Sequence, residues 1–441
     1  EALVTRAQAG LRNVTTYLTT KVAVGGGYLG TYTADLSDQW GETHATRDQN
    51  WIQPPGSPSV GEAFLRAWEA TGEKQYLDAA KQVADSLVYG QLECGGWDYI
   101  VDHSPAAAKR WYYRHNRGSA DPALKSGRNQ ATFDDDVTQA ATRLLIGVDK
   151  ALDQKDAPIH EAALAALDFT LKAQHETGAW PQRFPPSGQG YGDFFTFNDY
   201  TIEDIANTMM LASRTYGDER YAQAVRKCGD FIIRVQLPEP QASWAQQYDF
   251  DLQPAWARRF EPPSVCTAES VGVMRLLISI AMFTGDEKYL KPLPAAVDWF
   301  ERSKLPDGKW ARFYELKTNK PLYFTRDTYW LTYSDADMPT HYSFKGNWSP
   351  APIARSLKEI GEKGLAGYKQ EREPKVLTEA QRAAAATAME PKVKEVLAAQ
   401  DAQGRWVTIK GGDMPGDAPR VDMSTFERNM KVLSDYLKLA K

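Results

Sequence analysis

Segments with helical apolar spacing alternate along this chain with two recurring kinds of turn, and this alternation narrows the folds that it can adopt. The first kind is a glycine followed by an acidic residue, as at Gly72, Gly217 and Gly285. Because the glycine suits a helix end and the acid suits a helix start, each turn predicts a helical hairpin. The second kind is Gly-x-Trp followed by a longer polar loop, as at Trp97, Trp180, Trp310 and Trp406.

The periodic segments predict about twelve helices. By residue number they are 1–22, 59–72, 74–92, 135–152, 159–175, 201–217, 219–236, 270–285, 287–304, 349–364, 378–400 and 424–440. Helices paired in this way predict an all-α fold, an (α/α) toroid whose long loops form the site on one face. An open helical solenoid is the alternative. The charged stretch 362–398 is interpreted either as an outer helix or as a surface hairpin, and no linker divides the chain.

Composition and charge exclude several classes of protein. The net charge is −5 and no block of basic residues occurs, which argues against nucleic acid or an anionic membrane as partner. No apolar run approaches the roughly 18 residues of a membrane span. Residue 1 does not begin a signal peptide, so we expect a mature form whose leader is missing. Cys94, Cys228 and Cys266 contain no CxxC pair, which predicts buried free thiols rather than a zinc site. The 13 Trp and 21 Tyr suit the apolar faces and polar rims of sugars.

Acidic residues begin two of the predicted helices. Asp134-Asp135-Asp136 follows Thr132-Phe133, and Asn198-Asp199 follows Thr196-Phe197. Helix capping accounts for one or two such carboxylates, but three in a row repel one another unless a cation offsets them. Since Asp and Asn oxygens suit Ca²⁺, a shared metal is the functional interpretation.

Loops rich in aromatic residues carry the candidate substrate-binding groups. Arginine beside tryptophan is a good carboxylate clamp, because the guanidinium fork matches a carboxylate. Salt bridges between loops, or a purely structural histidine, are the alternatives. The candidates are Trp180, Arg183, Trp256, Arg258, Arg312, Arg326 and His341.

Several strings resemble the successive motifs of the family 10 pectate lyases. They are GAWPQRF, TFND, QQYDFDLQPAWARRFEPPSVCTAESVGVMRLL, WARFYELKTNKPLYFTRD and STFERNMKVLSDYL. The resemblance runs from about Gly95 to the C-terminus. Residues 1–94 are then an added N-terminal helical layer, 95–441 the pectate-lyase-like region, and the whole chain one domain.

The resemblance implies an (α/α) toroid and Ca²⁺-assisted β-elimination on polygalacturonate. By position, Asp134 and Asp199 match the family's metal- and substrate-facing aspartates. Arg258 matches its proposed base, and Arg326 a substrate-binding arginine. Arginine is an awkward base because its pKa exceeds 12, so neighbouring positive charge has to make the neutral form accessible. The substrate is predicted to be an acidic polysaccharide or oligosaccharide, and the protein a secreted or periplasmic monomer.

This chain also departs from the family pattern. Asp135 and Tyr200 stand where the family has Asn, and an arginine-rich stretch is replaced by residues 337–341. A His341/Tyr342 acid–base pair is therefore an alternative to Arg258, and the substrate can be another uronate polymer.

Two functions from other classes compete with a lyase. One is a glycoside hydrolase acting on acidic oligosaccharides with paired carboxylates such as Asp134 and Asp199. The other is a non-catalytic glycan-binding toroid, because a fold does not dictate activity.

Overall fold

The computed structural model describes residues 2–106 and 109–441, and helices dominate this part of the chain. They are α1 (Ala2–Tyr17), α2 (Ser57–Thr71), α3 (Lys74–Gly90), α4 (Val137–Ala151), α5 (Ala157–Ala173), α6 (Thr201–Tyr216), α7 (Glu219–Arg234), α8 (Thr267–Thr284), α9 (Leu293–Arg302), α10 (Ala351–Arg372), α11 (Glu379–Ala398) and α12 (Met423–Leu439). Each of the twelve predicted helices is present, so the all-α prediction is confirmed. A π-helical turn, Leu18–Val22, follows α1.

Apart from α1, which ends in the π-helical turn, two helices differ from their predicted extents by more than three residues, each for a local reason. The segment predicted as 287–304 forms a 3₁₀ turn, Glu287–Leu290, and then α9, because Pro292 cannot continue the hydrogen-bond ladder of the first turn. Helix α10 runs past its predicted end to Arg372, but Gly364 breaks it with φ 72° and ψ 161°.

The strands are two to four residues long and lie in the loops between helices. They are β1 (Thr31–Thr33), β2 (Gln39–Trp40), β3 (Gln49–Trp51), β4 (Ile100–Asp102), β5 (Ala131–Thr132), β6 (Arg183–Phe184), β7 (Phe195–Thr196), β8 (Gln247–Tyr248), β9 (Val265–Cys266), β10 (Trp310–Ala311), β11 (Phe313–Tyr314), β12 (Pro321–Phe324), β13 (Leu331–Thr332), β14 (Lys345–Gly346), β15 (Val407–Thr408) and β16 (Arg420–Asp422).

The first of two compact units comprises residues 1–132, 136–169 and 375–441. Within it α2 packs on α3 and α12, and α11 packs on α12. Its core includes Leu11, Phe64, Leu144 and Phe426. A four-stranded antiparallel sheet in the order β15-β16-β1-β2 ties the two ends of the chain together, with Tyr32 opposite Val421.

The second unit comprises residues 133–135 and 170–374. Here α6 packs on α7, α7 on α8, and α8 on α10. A sheet in the order β13-β12-β11-β9 and the pair β7-β8 lie in its loops. The organisation as one domain with residues 1–94 as an added layer stays a prediction.

The two kinds of turn have separate structural roles. Gly72, Gly217 and Gly285 end α2, α6 and α8 in the left-handed conformation, as the hairpin prediction requires. In the Gly-x-Trp turns, each indole is buried and its Nε1 donates to a backbone carbonyl near the end of the preceding helix, ten residues earlier. The bonds are Trp97 to Leu87 (2.9 Å), Trp180 to Thr170 (2.9 Å), Trp310 to Phe300 (2.8 Å) and Trp406 to Val396 (2.9 Å).

Helix α8 is the one described helix that is long and apolar enough to cross a membrane by length and composition. Its mean hydropathy is 1.3, which corrects the expectation that no apolar run approaches a span. About three-fifths of it (61%) is buried inside the protein, as in a core helix. All three cysteines are free; Cys228 and Cys266 are buried, and Cys94 is half-buried.

Candidate active site

Two segments with the same local structure present the acidic residues of the site. Each passes from a two-residue strand through a 3₁₀ turn into a long helix. The turns are Asp134–Asp136, between β5 and α4, and Asn198–Tyr200, between β7 and α6. In each segment a backbone N–H donates to a carbonyl in a loop that follows a tryptophan. The Phe133 N–H donates to the Gln182 carbonyl, and the Phe197 N–H donates to the Gln246 carbonyl, both at 2.8 Å.

Each turn holds two successive residues at left-handed φ. The values are 49° for Asp135, 60° for Asp136, 48° for Asp199 and 60° for Tyr200. Residues other than glycine pay roughly 1–3 kcal/mol for such backbone and keep it where the surroundings enforce it, often at functional sites. By this geometry Asp135, rather than Asp134, occupies the position equivalent to Asp199.

Asp134, Asp135 and Asp199 form an acid cluster, with one carboxylate oxygen of each within 4.8 Å of the others. Oxygens of one Ca²⁺ shell lie about 2.3–2.6 Å from the ion, so two of them can be up to about 5 Å apart. The donor set and its spacing therefore fit calcium, with room for further oxygens. The prediction that the two acidic helix starts meet is borne out by this geometry, and Asp135 is an additional member.

The charges around Asp199 show that the carboxylates of the acid cluster repel one another. Although much of the residue stays in solvent, desolvation of its carboxyl and the negative charge of Asp134 raise its pKa. The positive charges of Arg258 and Arg312 act in the opposite direction, and Asn198 Nδ2 donates to Asp199 Oδ2 at 2.6 Å. A cation would relieve the remaining repulsion.

The third aspartate of the first segment has a structural partner. Arg143 Nη1 donates to Asp136 Oδ1 at 2.9 Å, seven residues along the chain. This ion pair explains how three consecutive aspartates are accommodated, with two of them in the acid cluster.

Arg258 is held by Glu261 in a two-point pair. Arg258 Nε donates to Oε2 (2.9 Å) and Nη2 donates to Oε1 (2.6 Å), while the backbone N–H of Arg258 also donates to Oε2 (3.0 Å). Glu261 is almost fully buried. The hydrogen bonds that Arg258 donates to Glu261 raise the pKa of Arg258, so the neutral guanidine is less accessible than in water. Burial would raise the pKa of Glu261, but the bonds and charge of Arg258 outweigh it and lower that pKa.

Arg312 links a second buried acid, Glu269, to the Arg258–Glu261 pair through Tyr342. Arg312 Nη1 lies 3.3 Å from Glu269 Oε1 and donates to the Tyr342 hydroxyl at 3.3 Å. The Tyr342 hydroxyl donates to Glu261 Oε1 at 3.1 Å. Burial raises the pKa of Glu269 to about 8 and also raises that of Tyr342. Glu261 and Glu269 were not among the predicted site residues, although both lie inside the motif string that carries the family resemblance.

The structure does not assemble His341 and Tyr342 as a hydrogen-bonded pair. Their ring centroids are 6.5 Å apart, and the Tyr342 hydroxyl bonds to Glu261 and Arg312 instead. His341 is exposed, with Nδ1 3.5 Å from the Tyr329 hydroxyl.

The predicted substrate-binding residues differ in exposure. Trp256 is 47% exposed and Arg183 is half-buried, so both can reach a ligand. The exposed Arg326 lies in a separate loop, where Nε is 3.8 Å from Asp337 Oδ1. Trp180 is fully buried, with its indole N–H bonded to the Thr170 carbonyl. Its predicted contact with substrate is therefore wrong.

The segment that carries this site is similar to a known protein family. Residues 106–309 match the family model described as pectic acid lyase. This segment is similar to the pectic acid lyases. It contains the acid cluster, Arg258, Glu261 and Glu269, and the prediction of an enzyme of the polysaccharide lyase class is confirmed. No curated protein sequence matches the chain.

Solved structures agree with this family match at the level of the fold. The family 10 polysaccharide lyase from Cellvibrio cellulosa is 24% identical, with a TM-score of 0.50, and the match covers 68% of this chain and 96% of that one. A mutant of that lyase in complex with trigalacturonic acid matches equally well. D-mannose isomerase is 14% identical with a TM-score of 0.51, and 99% of each chain is covered. The fold is that of the (α/α)-toroid enzymes.

Proposed function

We propose that the enzyme cleaves a uronate-containing polysaccharide by β-elimination, and that Asp134, Asp135 and Asp199 bind Ca²⁺ together with a substrate carboxylate. The observation that carries this proposal is the acid cluster with the positive charges of Arg258 and Arg312 beside it. The carboxylates of the acid cluster can hold an anionic sugar through a bound cation. The neighbouring arginines can place a polar group at the reacting carbon. The similar lyase that binds trigalacturonic acid supports a galacturonate as the first substrate to test.

Removal of the proton next to the uronate carboxylate is the difficult step, because that carbon is a weak acid. Bound Ca²⁺ would supply positive charge at the carboxylate, where negative charge develops. Arg312 and the half-buried Arg183 add donors that suit further carboxylates of the chain.

Arg258 is proposed as the group that meets the proton, with Glu261 as its partner. A protonated guanidinium cannot accept a proton, and the paired Glu261 favours the protonated form. Arg258 can accept one only as Nη2 passes its own proton to Glu261 Oε1, which lies 2.6 Å away. The pair as a whole then gains the proton, and the electron pair of the broken C–H bond forms the C4–C5 double bond. The C4–O bond breaks with its electrons on the leaving oxygen, which takes up a proton from water. Glu261 is thus a positioning and proton-accepting partner of Arg258.

The test is to incubate the enzyme with a panel of uronate polysaccharides, with and without chelator. Elimination gives an unsaturated product that absorbs ultraviolet light, and we expect this product with polygalacturonate and Ca²⁺. New reducing ends without ultraviolet absorbance would instead identify a glycoside hydrolase. A hydrolase of this kind uses a pair of carboxylates, and the acid cluster supplies candidates for that pair.

We also propose a secreted or periplasmic monomer. A polymeric substrate supports the location, because polysaccharides are degraded outside the membrane before uptake. Light scattering on the purified protein tests the monomer, and detection in periplasmic or culture fractions tests the location. A stable dimer or a cytoplasmic pool alone would contradict the respective proposal.

A further inference from the structure

A cavity of about 320 Å³ lies in the first compact unit, and none of its lining residues belongs to the acid cluster. Its walls include the aromatic residues Trp51, Tyr99 and Trp111, and two arginines, Arg110 and Arg128. Small-molecule sites run from about 300 to 1,000 Å³, so this cavity suits one or two sugar rings.

The acid at this cavity already has its partners. Asp98 is almost fully buried, and its Oδ2 accepts the Trp111 indole N–H at 3.2 Å and lies 3.2 Å from Arg128 Nη1. Its Oδ1 accepts the Tyr99 backbone N–H at 3.0 Å. Asp98 and Arg128 therefore neutralise each other, and Asp98 fixes the indole of Trp111.

Arg110 carries the positive charge that remains. Its guanidinium lies over the Trp111 ring, 4.8 Å from the centroid, and it forms no ion pair among the residues that the structure describes. Stacking restricts the guanidinium while its N–H groups stay exposed, so less conformational entropy is lost when an anion binds. Glu42 also lines the cavity and is exposed like Arg110, so solvent screens both charges. The stacking on Trp111 is what holds the guanidinium of Arg110 at the cavity wall.

Backbone pairing holds the two arginines in place. Arg128 N donates to the Arg110 carbonyl at 2.9 Å, and Tyr112 N donates to the Arg128 carbonyl at 3.0 Å. The segments approach closely at Gly127, where an added Cβ would lie 2.6 Å from the carbonyl carbon of Trp111. The cavity is thus built on paired backbone rather than on a single loop.

We propose that this cavity is a subsite for one uronate residue of the acidic polysaccharide, with the sugar carboxylate bound by the guanidinium of Arg110. The sugar ring would contact Tyr99, which offers apolar surface beside a polar group, while the almost fully buried Trp51 and Trp111 shape the cavity wall. This inference rests on the proposed function for the identity of the polymer. It assigns a binding role to residues that the acid cluster and Arg258 do not use.

The test measures binding of the full chain to polygalacturonate in affinity gels, with chelator present so that Ca²⁺-dependent binding does not contribute. Arg110→Ala should weaken binding about 10-fold, as expected for loss of a charged hydrogen bond. Arg110→Lys should recover part of it, since the charge stays but the fork is lost. Methyl-esterified pectin, which has the same sugars without charge, should bind weakly to all variants.

Lys109→Ala is the matched control, because Lys109 is an exposed neighbouring cation outside the cavity. It should bind like the wild type. Equal binding by Arg110→Ala and the wild type, or equal losses in both variants, would overturn the subsite. If the wild type yields no unsaturated product but the Arg110 effect is present, the lyase proposal fails and the subsite stands. If product forms and Arg110→Ala binds normally, the subsite fails alone.

Discussion

Both carboxylate oxygens of Glu261 accept hydrogen bonds from Arg258. Nε donates to Oε2 at 2.9 Å, and Nη2 donates to Oε1 at 2.6 Å. A protonated guanidinium has to release a proton before it can take one from substrate, and Glu261 Oε1 is an acceptor 2.6 Å away, so we expect the two residues to act together. The pair also explains how an arginine can be rigidly oriented at the end of a Pro-bounded loop.

Glu261→Gln should lower kcat by about 10²-fold or more, as for loss of a general base, with a smaller change in KM. Arg258→Lys should do the same, because the two-point pair is lost. Steady-state kinetics with a melting curve for each variant test this. Glu239→Gln, in an exposed pair with Arg302, is the control and should leave kcat unchanged. If Glu261→Gln keeps normal turnover and loses only thermal stability, the pair is structural.

His341→Ala should retain turnover, since the exposed imidazole shares no hydrogen bond with Tyr342. Tyr342→Phe should reduce kcat, because it removes the hydroxyl bonded to Glu261 and Arg312. Kinetics on both variants provide the check. An inactive His341→Ala beside a nearly normal Arg258→Lys would make His341 the base.

Asp135→Asn and Asp199→Asn should each raise the Ca²⁺ concentration needed for half-maximal activity by about 10-fold or more, since carboxylate charge sets Ca²⁺ affinity. Asparagine tolerates the left-handed backbone, so the fold should be kept. Activity titrations against free Ca²⁺ measure the shift, with the exposed Asp251→Asn as control. Full activity after exhaustive chelation would remove the metal from the mechanism.

Glu269 predicts a pH dependence of stability. Burial raises its pKa from 4.5 to about 8, so the folded state holds a proton that the unfolded state releases. The contribution of this proton to the free energy of unfolding is present in full below pH 4.5. It is lost as pH rises through about 8, and the free energy of unfolding falls by up to about 1.4 kcal/mol per pH unit. Urea denaturation at several pH values should therefore show Glu269→Gln gaining stability relative to the wild type across this window. Parallel curves for the two proteins would contradict the shift.

The two tryptophans that the sequence predicts to bind substrate should respond differently. Trp180→Phe should lower the free energy of unfolding by about 1–3 kcal/mol, because the Thr170 carbonyl loses its buried donor. Trp256→Ala should change stability by about 0.5 kcal/mol or less but raise KM. Denaturation and kinetics on both variants separate the roles. A Trp180→Phe enzyme of normal stability with a raised KM would restore the substrate contact.

The sequence alone determined the helices, their pairing and the chemistry of the turns. Apolar spacing and the glycines at Gly72, Gly217 and Gly285 act within a few residues, so local patterns were enough to predict twelve helices. The motif strings also indicated the lyase class and the meeting of Asp134 with Asp199.

Tertiary structure decided which side chains face each other. A tryptophan after Gly-x looks the same in sequence whether it stacks on a sugar or caps a helix, and only packing shows Trp180 bonded to Thr170. Aligning TFDDD with TFNDY could have indicated Asp135, but the left-handed backbone that directs its carboxylate is held by surrounding contacts. Likewise, Glu269 meets Arg312 across 43 residues of sequence. Such pairs depend on how distant segments pack, and no short-range pattern encodes that.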